Sequence, residues 1–169
     1  STKYYEKVLK GFDGIPVFML ASDEEGYSSV MYDNETGIRE AIRYLIDEKG
    51  CKNIGMVCGN EENVESQIRF RVYQEELQKS NLPIIKKRIV HGDFSEYCLN
   101  VMEELVKNNP DLDAIVCGND SMAKGLYPIL NKYGREIGKD IYVTGFDDLD
   151  FAHLLNPPLA TVRADASEM

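Results

Sequence analysis

Arg69, Phe94, Asn119 and Asp147 are the residues of this chain whose types could do chemistry together. A guanidinium offers forked donors that suit a hydroxylated or anionic ligand. A phenyl ring stacks on a sugar ring or a base. The Asn119 amide both donates and accepts, and the Asp147 carboxylate can accept from paired vicinal hydroxyls. Asp120 joins Asn119 as a candidate within DAIVCGNDSMAKG, residues 113–125. Each has a plainer reading: helix capping for Asn119 and Asp120, solvation for Arg69 and Arg71, core packing for Phe94.

Asp147, Asp148 and Asp150 could instead hold a divalent cation. Alternate residues on a turn diverge, so this is the minor alternative, a metal-dependent phosphoryl-transfer enzyme. The chain has no nucleophile elbow, Walker loop or HExxH, and Ser66 and Ser95 have no base partner evident in the sequence. No enzyme activity, cofactor or metal is expected of this segment. Cys51, Cys58, Cys98 and Cys117 lack CxxC spacing, which argues against zinc or thioredoxin-type chemistry. Cys58 and Cys117 read as core residues, and the cysteine usage points to a reducing, cytoplasmic compartment. His91 and His153 have no metal-ligand company.

A net charge of -10 over 169 residues argues against this chain gripping nucleic acid or an anionic membrane surface. No apolar run approaches a membrane span. The chain does not begin with Met and reads as a piece cut from a longer protein.

The elements that must position these residues follow from periodicity. Short apolar runs predict strands over Ile15–Leu20, Asn53–Cys58, Ile84–Val90, Ala114–Cys117, Ile141–Thr144 and Thr161–Arg163. Helical spacing predicts helices over residues 1–10, from Asp33 or Asn34 to Gly50, over 66–80, over 96–108 and from Asp120 to Tyr133. Ile68, Val72 and Leu77 are the expected inner residues of the 66–80 helix, and Leu99, Met102, Leu105 and Val106 those of the next. This alternation is the signature of an α/β fold with a doubly wound parallel sheet. Right-handed crossovers then place four polar turns at one sheet edge: Gly59–Glu65, Gly92–Ser95, Gly118–Asp120 and Gly145–Asp148. Their convergence is the physical argument for a ligand cleft.

The segments IPVFML, YDNETGIREAIRYLIDEKGCKNIGMVCG, SQIRFRVYQEEL, GDFSEY, DAIVCGNDSMAKGLYPIL, IGKDIYVTGFDD and NPPLATVRAD cover nearly the whole chain. Together they resemble the ligand-sensing domain of the LacI/GalR family, a periplasmic-binding-protein-like fold of type I. The resemblance implies two lobes closing on a small polar metabolite, a sugar or nucleobase-like molecule. It places the family's ligand arginine on Arg69, its cleft aromatic on Phe94, its turn asparagine on Asn119 and its cleft aspartate on Asp147. It also implies a homodimer, DNA contact only through a headpiece absent from this chain, and no membrane contact.

On this reading the chain, 1–169, is mainly the C-terminal lobe with part of the N-terminal lobe. Residues 1–29 are N-terminal-lobe part and crossover, 30–155 the C-terminal lobe and 156–169 the crossover back. The expected function is a sensor domain of a transcriptional regulator, with fusion to a signalling kinase or nucleotide cyclase as the alternative. Val72 stands where the family has a glycine, and Leu20-Ala21-Ser22 where many members carry a polar cleft residue. A third reading makes the chain an oligomerisation module, a dimer held by the helix faces around Met122 to Leu130 and by Leu154-Leu155.

Overall fold

The apolar runs Ile54–Cys58 and Ala114–Cys117 are buried at every residue, as in central strands of a sheet covered on both faces. A computed structural model describes residues 8, 10–12, 14–20 and 26–164. They belong to two units, Ser1–Asp33 with Asp165–Met169, and Asn34–Ala164. In the first unit, strands β1 (Phe18–Leu20) and β2 (Ser28–Val30) pair in parallel. Ile15 and Phe18 are exposed, so the buried strand expected over Ile15–Leu20 is instead a short strand that leaves Phe18 outside. The helix expected over residues 1–10 lies mostly outside the described residues.

The second unit runs α1 (Asn34–Arg43), β3 (Ile54–Cys58), α2 (Val64–Lys79), β4 (Ile89–His91), α3 (Leu99–Asn108), β5 (Ala114–Cys117), α4 (Asp120–Lys132), β6 (Tyr142–Phe146) and β7 (Ala160–Val162). Its strand order is β4-β3-β5-β6-β7, all parallel. The doubly wound α/β sheet is therefore present. The chain leaves β3 toward β4 but leaves β5 the other way, toward β6. Such a reversal opens a crevice outside the carboxyl ends of the two strands, the usual ligand position in open α/β sheets.

Strand alternation feeds two cores. Ile54, Met56, Cys58, Ala114 and Val116 pack with Ile38, Ile42, Val72, Tyr73 and Leu77 of α1 and α2. Val57, Ile115 and Cys117 pack with Met102, Leu105, Met122, Leu126 and Leu130 of α3 and α4. Cys58 and Cys117 are core thiols as expected, and burial pushes the Cys58 thiol up to about 12. The α4 face from Met122 to Leu130 is consumed inside the domain, so it is not the dimer surface that the oligomerisation reading required. Leu99 is 41% exposed, against expectation, and Ile68 is half-buried.

The strand expected over Ile84–Val90 shortens to β4, preceded by a 3-10 turn at Lys86–Arg88. That turn sends the buried Arg88 side chain to Asn53 Oδ1 at 3.0 Å and to Asp111. Among the described residues no helix is long and apolar enough to cross a membrane.

α1 and α2 are joined by charge as well as packing. The Glu76 carboxylate, with its side chain 3% exposed, accepts from Arg43 Nε at 2.9 Å, from Lys79 Nζ at 2.7 Å and from Arg39. Burial pushes this carboxyl up, but the Lys79, Arg43 and Arg39 hydrogen bonds outweigh it and hold the pKa at about 2. Glu76→Gln is expected to cost about 2 kcal/mol in urea unfolding at neutral pH, the scale of hydrogen bonds to charged groups. The folded pKa is depressed, so the stabilisation is present above the unfolded carboxyl's pKa of about 4.3. It fades as pH falls through about 2, and the gap between parent and variant should close over that window.

Candidate ligand site at the sheet switch point

The turn between β5 and α4 shows how the sequence builds this edge. Gly118 N donates to Val57 O at 2.8 Å, keeping the turn against β3. Asn119 is extended and caps α4, its Oδ1 accepting from Met122 N at 2.9 Å. Its Nδ2 donates to Phe94 O at 3.0 Å, tying this turn to the one after β4. The capping reading of Asn119 is thus correct, and the same side chain straps two site turns together.

Asp120 is fully buried and joins three segments. It accepts from Leu149 N at 2.8 Å and from Thr161 Oγ1 at 2.5 Å. A Cβ on Gly145 would collide with its carboxylate, so β6 needs a glycine there. Burial pushes the Asp120 carboxyl up, although these donors pull the other way.

Arg69 projects from the inner face of α2 and is 2% exposed. Its Nε donates to Asn34 Oδ1 at 2.8 Å, and its Nη1 to the Gly118 carbonyl. Its guanidinium carbon sits 3.8 Å from the centroid of the Phe146 ring, within cation–π range. Nη2 lies 3.6 Å from Glu65 Oε2, one helical turn earlier. Burial lowers the Arg69 pKa, while Glu65 and Asp147 raise it. The solvated reading of Arg69 is therefore overturned. It does hold for Arg71, which is exposed and pairs with Glu75 and Glu35.

Asp147 follows β6 with φ 110 and is half-buried. Burial raises its carboxyl to about 6, with Arg69 opposing and Asp120 and Glu65 adding to the rise. Asp148 turns to Arg163 Nε at 2.6 Å and lies 3.3 Å from His153. Among the described residues no three His, Cys, Asp or Glu side chains are grouped to hold a metal.

Phe94 has φ 62 and is half-buried. Its ring lies where a Cβ on Gly59 would be, so a glycine at the end of β3 lets it close over the crevice floor. It also packs on the core under α3 and α4. The structure gathers Arg69, Phe94, Asn119 and Asp147 at the carboxyl edge of the sheet, on the elements that the sequence assigned to them.

The periplasmic binding protein-like domain model matches residues 42–169. The chain belongs to this family. The resemblance to the LacI/GalR ligand-sensing domain is borne out by similar proteins. The ribose operon repressor of Escherichia coli (strain K12) is 28% identical over 166 residues, covering 96% of this chain and 50% of the repressor. A transcriptional regulator CelR–cellobiose complex shares the fold with a TM-score of 0.82 at 24% identity, over 96% of this chain and 57% of that one. The dimeric Lac repressor with an 11-residue C-terminal deletion does so at 0.85 and 23% identity, over 97% and 60%. The chain spans about half the length of the curated relatives it matches.

Two further residues join this cluster. Glu65 and Asn34 contact the Arg69 side chain directly, and sequence reasoning passed over both. The i,i+4 spacing of Glu65 and Arg69 was a usable signal. Asn34 had none, because its contact with Arg69 spans 35 residues.

Proposed function

We propose that this chain is the ligand-binding part of a sugar-responsive transcriptional regulator and is not itself an enzyme. The observation that carries this reading is the buried Arg69 guanidinium at the sheet switch point, bonded to Gly118 O, stacked on Phe146 and near Asp147. A polyhydroxylated ligand can accept from the arginine, donate to the carboxylate and lay an apolar ring face on Phe94. Asn119 serves mainly by holding the Phe94 turn in place. The relatives add weight, being named for a ribose operon and a cellobiose complex. Ligand held here would shift a two-state arrangement and bias an output domain that contacts DNA in the cytoplasm. A homodimer belongs to the proposal, because Tyr97 and Leu154 stand 80% and 83% exposed and burying such side chains favours association.

Thermal denaturation with ribose, cellobiose or magnesium added singly tests this reading. A ligand of the native state at a hundred times its dissociation constant stabilises by about 2.7 kcal/mol. A sugar that raises the midpoint supports the proposal. A response to magnesium with none to any neutral sugar would move the assignment to the phosphoryl-transfer alternative.

A further inference from the structure

Arg69 is the group an anionic ligand would seek, yet two of its three nitrogens already donate within the domain. Nε is bonded to Asn34 and Nη1 to the Gly118 carbonyl. Nη2 faces Glu65 at 3.6 Å. Glu65 is held in turn, because Asn34 Nδ2 donates to its Oε1 at 3.4 Å, and its side chain is only 15% exposed. Asp147 is a second carboxyl within electrostatic reach of both Arg69 and Glu65. An incoming oxyanion must therefore displace Glu65 from Nη2 or stand beside two carboxylates, and like charges at that range in a partly buried site repel strongly. A hydroxyl meets no such barrier, since it accepts from Nη2 and donates to either carboxylate.

We propose that Glu65 is a specificity residue that bars anionic ligands, phosphate esters above all, and reserves the site for uncharged polyhydroxylated molecules. This rests on the sensor reading of the same site. Glu65 also explains how an arginine so well formed for phosphate can serve a neutral sugar. Asn34 is its positioning partner, linking Glu65 and Arg69 through one amide.

The test compares the full chain with Glu65→Gln and, as a net-charge control, Glu35→Gln, whose carboxylate is half exposed and pairs with Arg71 and Arg39. The probes are ribose, ribose 5-phosphate and inorganic phosphate, read by calorimetry and thermal shift, with circular dichroism confirming the fold. The parent chain should bind ribose at least about tenfold tighter than the phosphate ester, and Glu65→Gln should narrow that ratio by about tenfold or more, the effect of one removed charge contact. Inorganic phosphate should stabilise Glu65→Gln but neither the parent nor Glu35→Gln, and adding Arg69→Met should erase the gain. No phosphate gain in Glu65→Gln, or an equal gain in Glu35→Gln, overturns the proposal. If phosphate gains appear as expected but ribose binds neither protein, the Glu65 barrier stands and the ribose-sensor reading falls. If ribose binds and the ratio is unchanged, the sensor reading stands and the role of Glu65 falls.

Discussion

Asp147→Asn is expected to make the chain more stable at neutral pH while abolishing its response to sugar. Burial holds the Asp147 carboxyl at about 6, against about 3.9 for an unfolded aspartate. A raised carboxyl pKa means that the folded state binds its proton more tightly than the unfolded state. Keeping this carboxylate ionised thus costs stability above the folded pKa of about 6, and the cost vanishes below the unfolded value. Two pKa units correspond to roughly 3 kcal/mol, and partial exposure brings the expected gain to about 2 kcal/mol.

Asparagine keeps the shape and tolerates φ 110 at least as well as aspartate. Urea midpoints for parent and variant should therefore differ most above pH 7 and converge as the parent's Asp147 takes up its proton. The sugar-dependent shift should be absent from the variant at every pH. A variant less stable than the parent at neutral pH would show that the carboxylate is better compensated than its burial implies. A variant that still binds sugar normally would remove Asp147 from the site.

The contrast between what the sequence disclosed and what it hid is clearest on α2. Periodicity selected Ile68, Val72 and Leu77, yet the buried stripe runs Ser66, Arg69, Val72, Tyr73, Glu76 and Leu77. A charged residue on an inner face looks like a solvated one until its partners are known. Arg69 and Glu76 each have partners on α1, 33 to 37 residues away along the chain. The turns were legible for the opposite reason. A buried strand followed by polar residues and a helical pattern marks its own boundary, so Gly118-Asn119-Asp120 and Gly145-Phe146-Asp147 were readable from local order alone. The role of Asp120 was half legible: its place was clear, but its bonds to Leu149 and Thr161 depend on β6 and β7 arriving beside it. Lys86–Arg88 misled because flanking apolar residues on both sides imitate a longer strand.

Arg69→Met is expected to produce the opposite stability change from Asp147→Asn, with the same loss of sugar response. Methionine keeps much of the volume over Phe146 but strips the charge that Asp147 and Glu65 share. Removing one partner from a buried charge set typically costs about 3 kcal/mol, because the remaining carboxylates lose their compensation. The pH dependence identifies that cause. Arg69 is the group that pulls the Asp147 pKa down, so without it the carboxyl rises further and keeps its proton to higher pH. The variant's deficit should then be largest in mild alkali and shrink as acid neutralises Asp147.

Adding Asp147→Asn to Arg69→Met should recover a substantial part of the deficit at neutral pH, as expected for two groups coupled through their charges. A deficit that neither acid nor the second substitution relieves would point to lost packing on Phe146 and lost bonds to Asn34 and Gly118. In that case the arginine would be a structural strut of α2, and its electrostatic coupling to Asp147 would contribute little to stability.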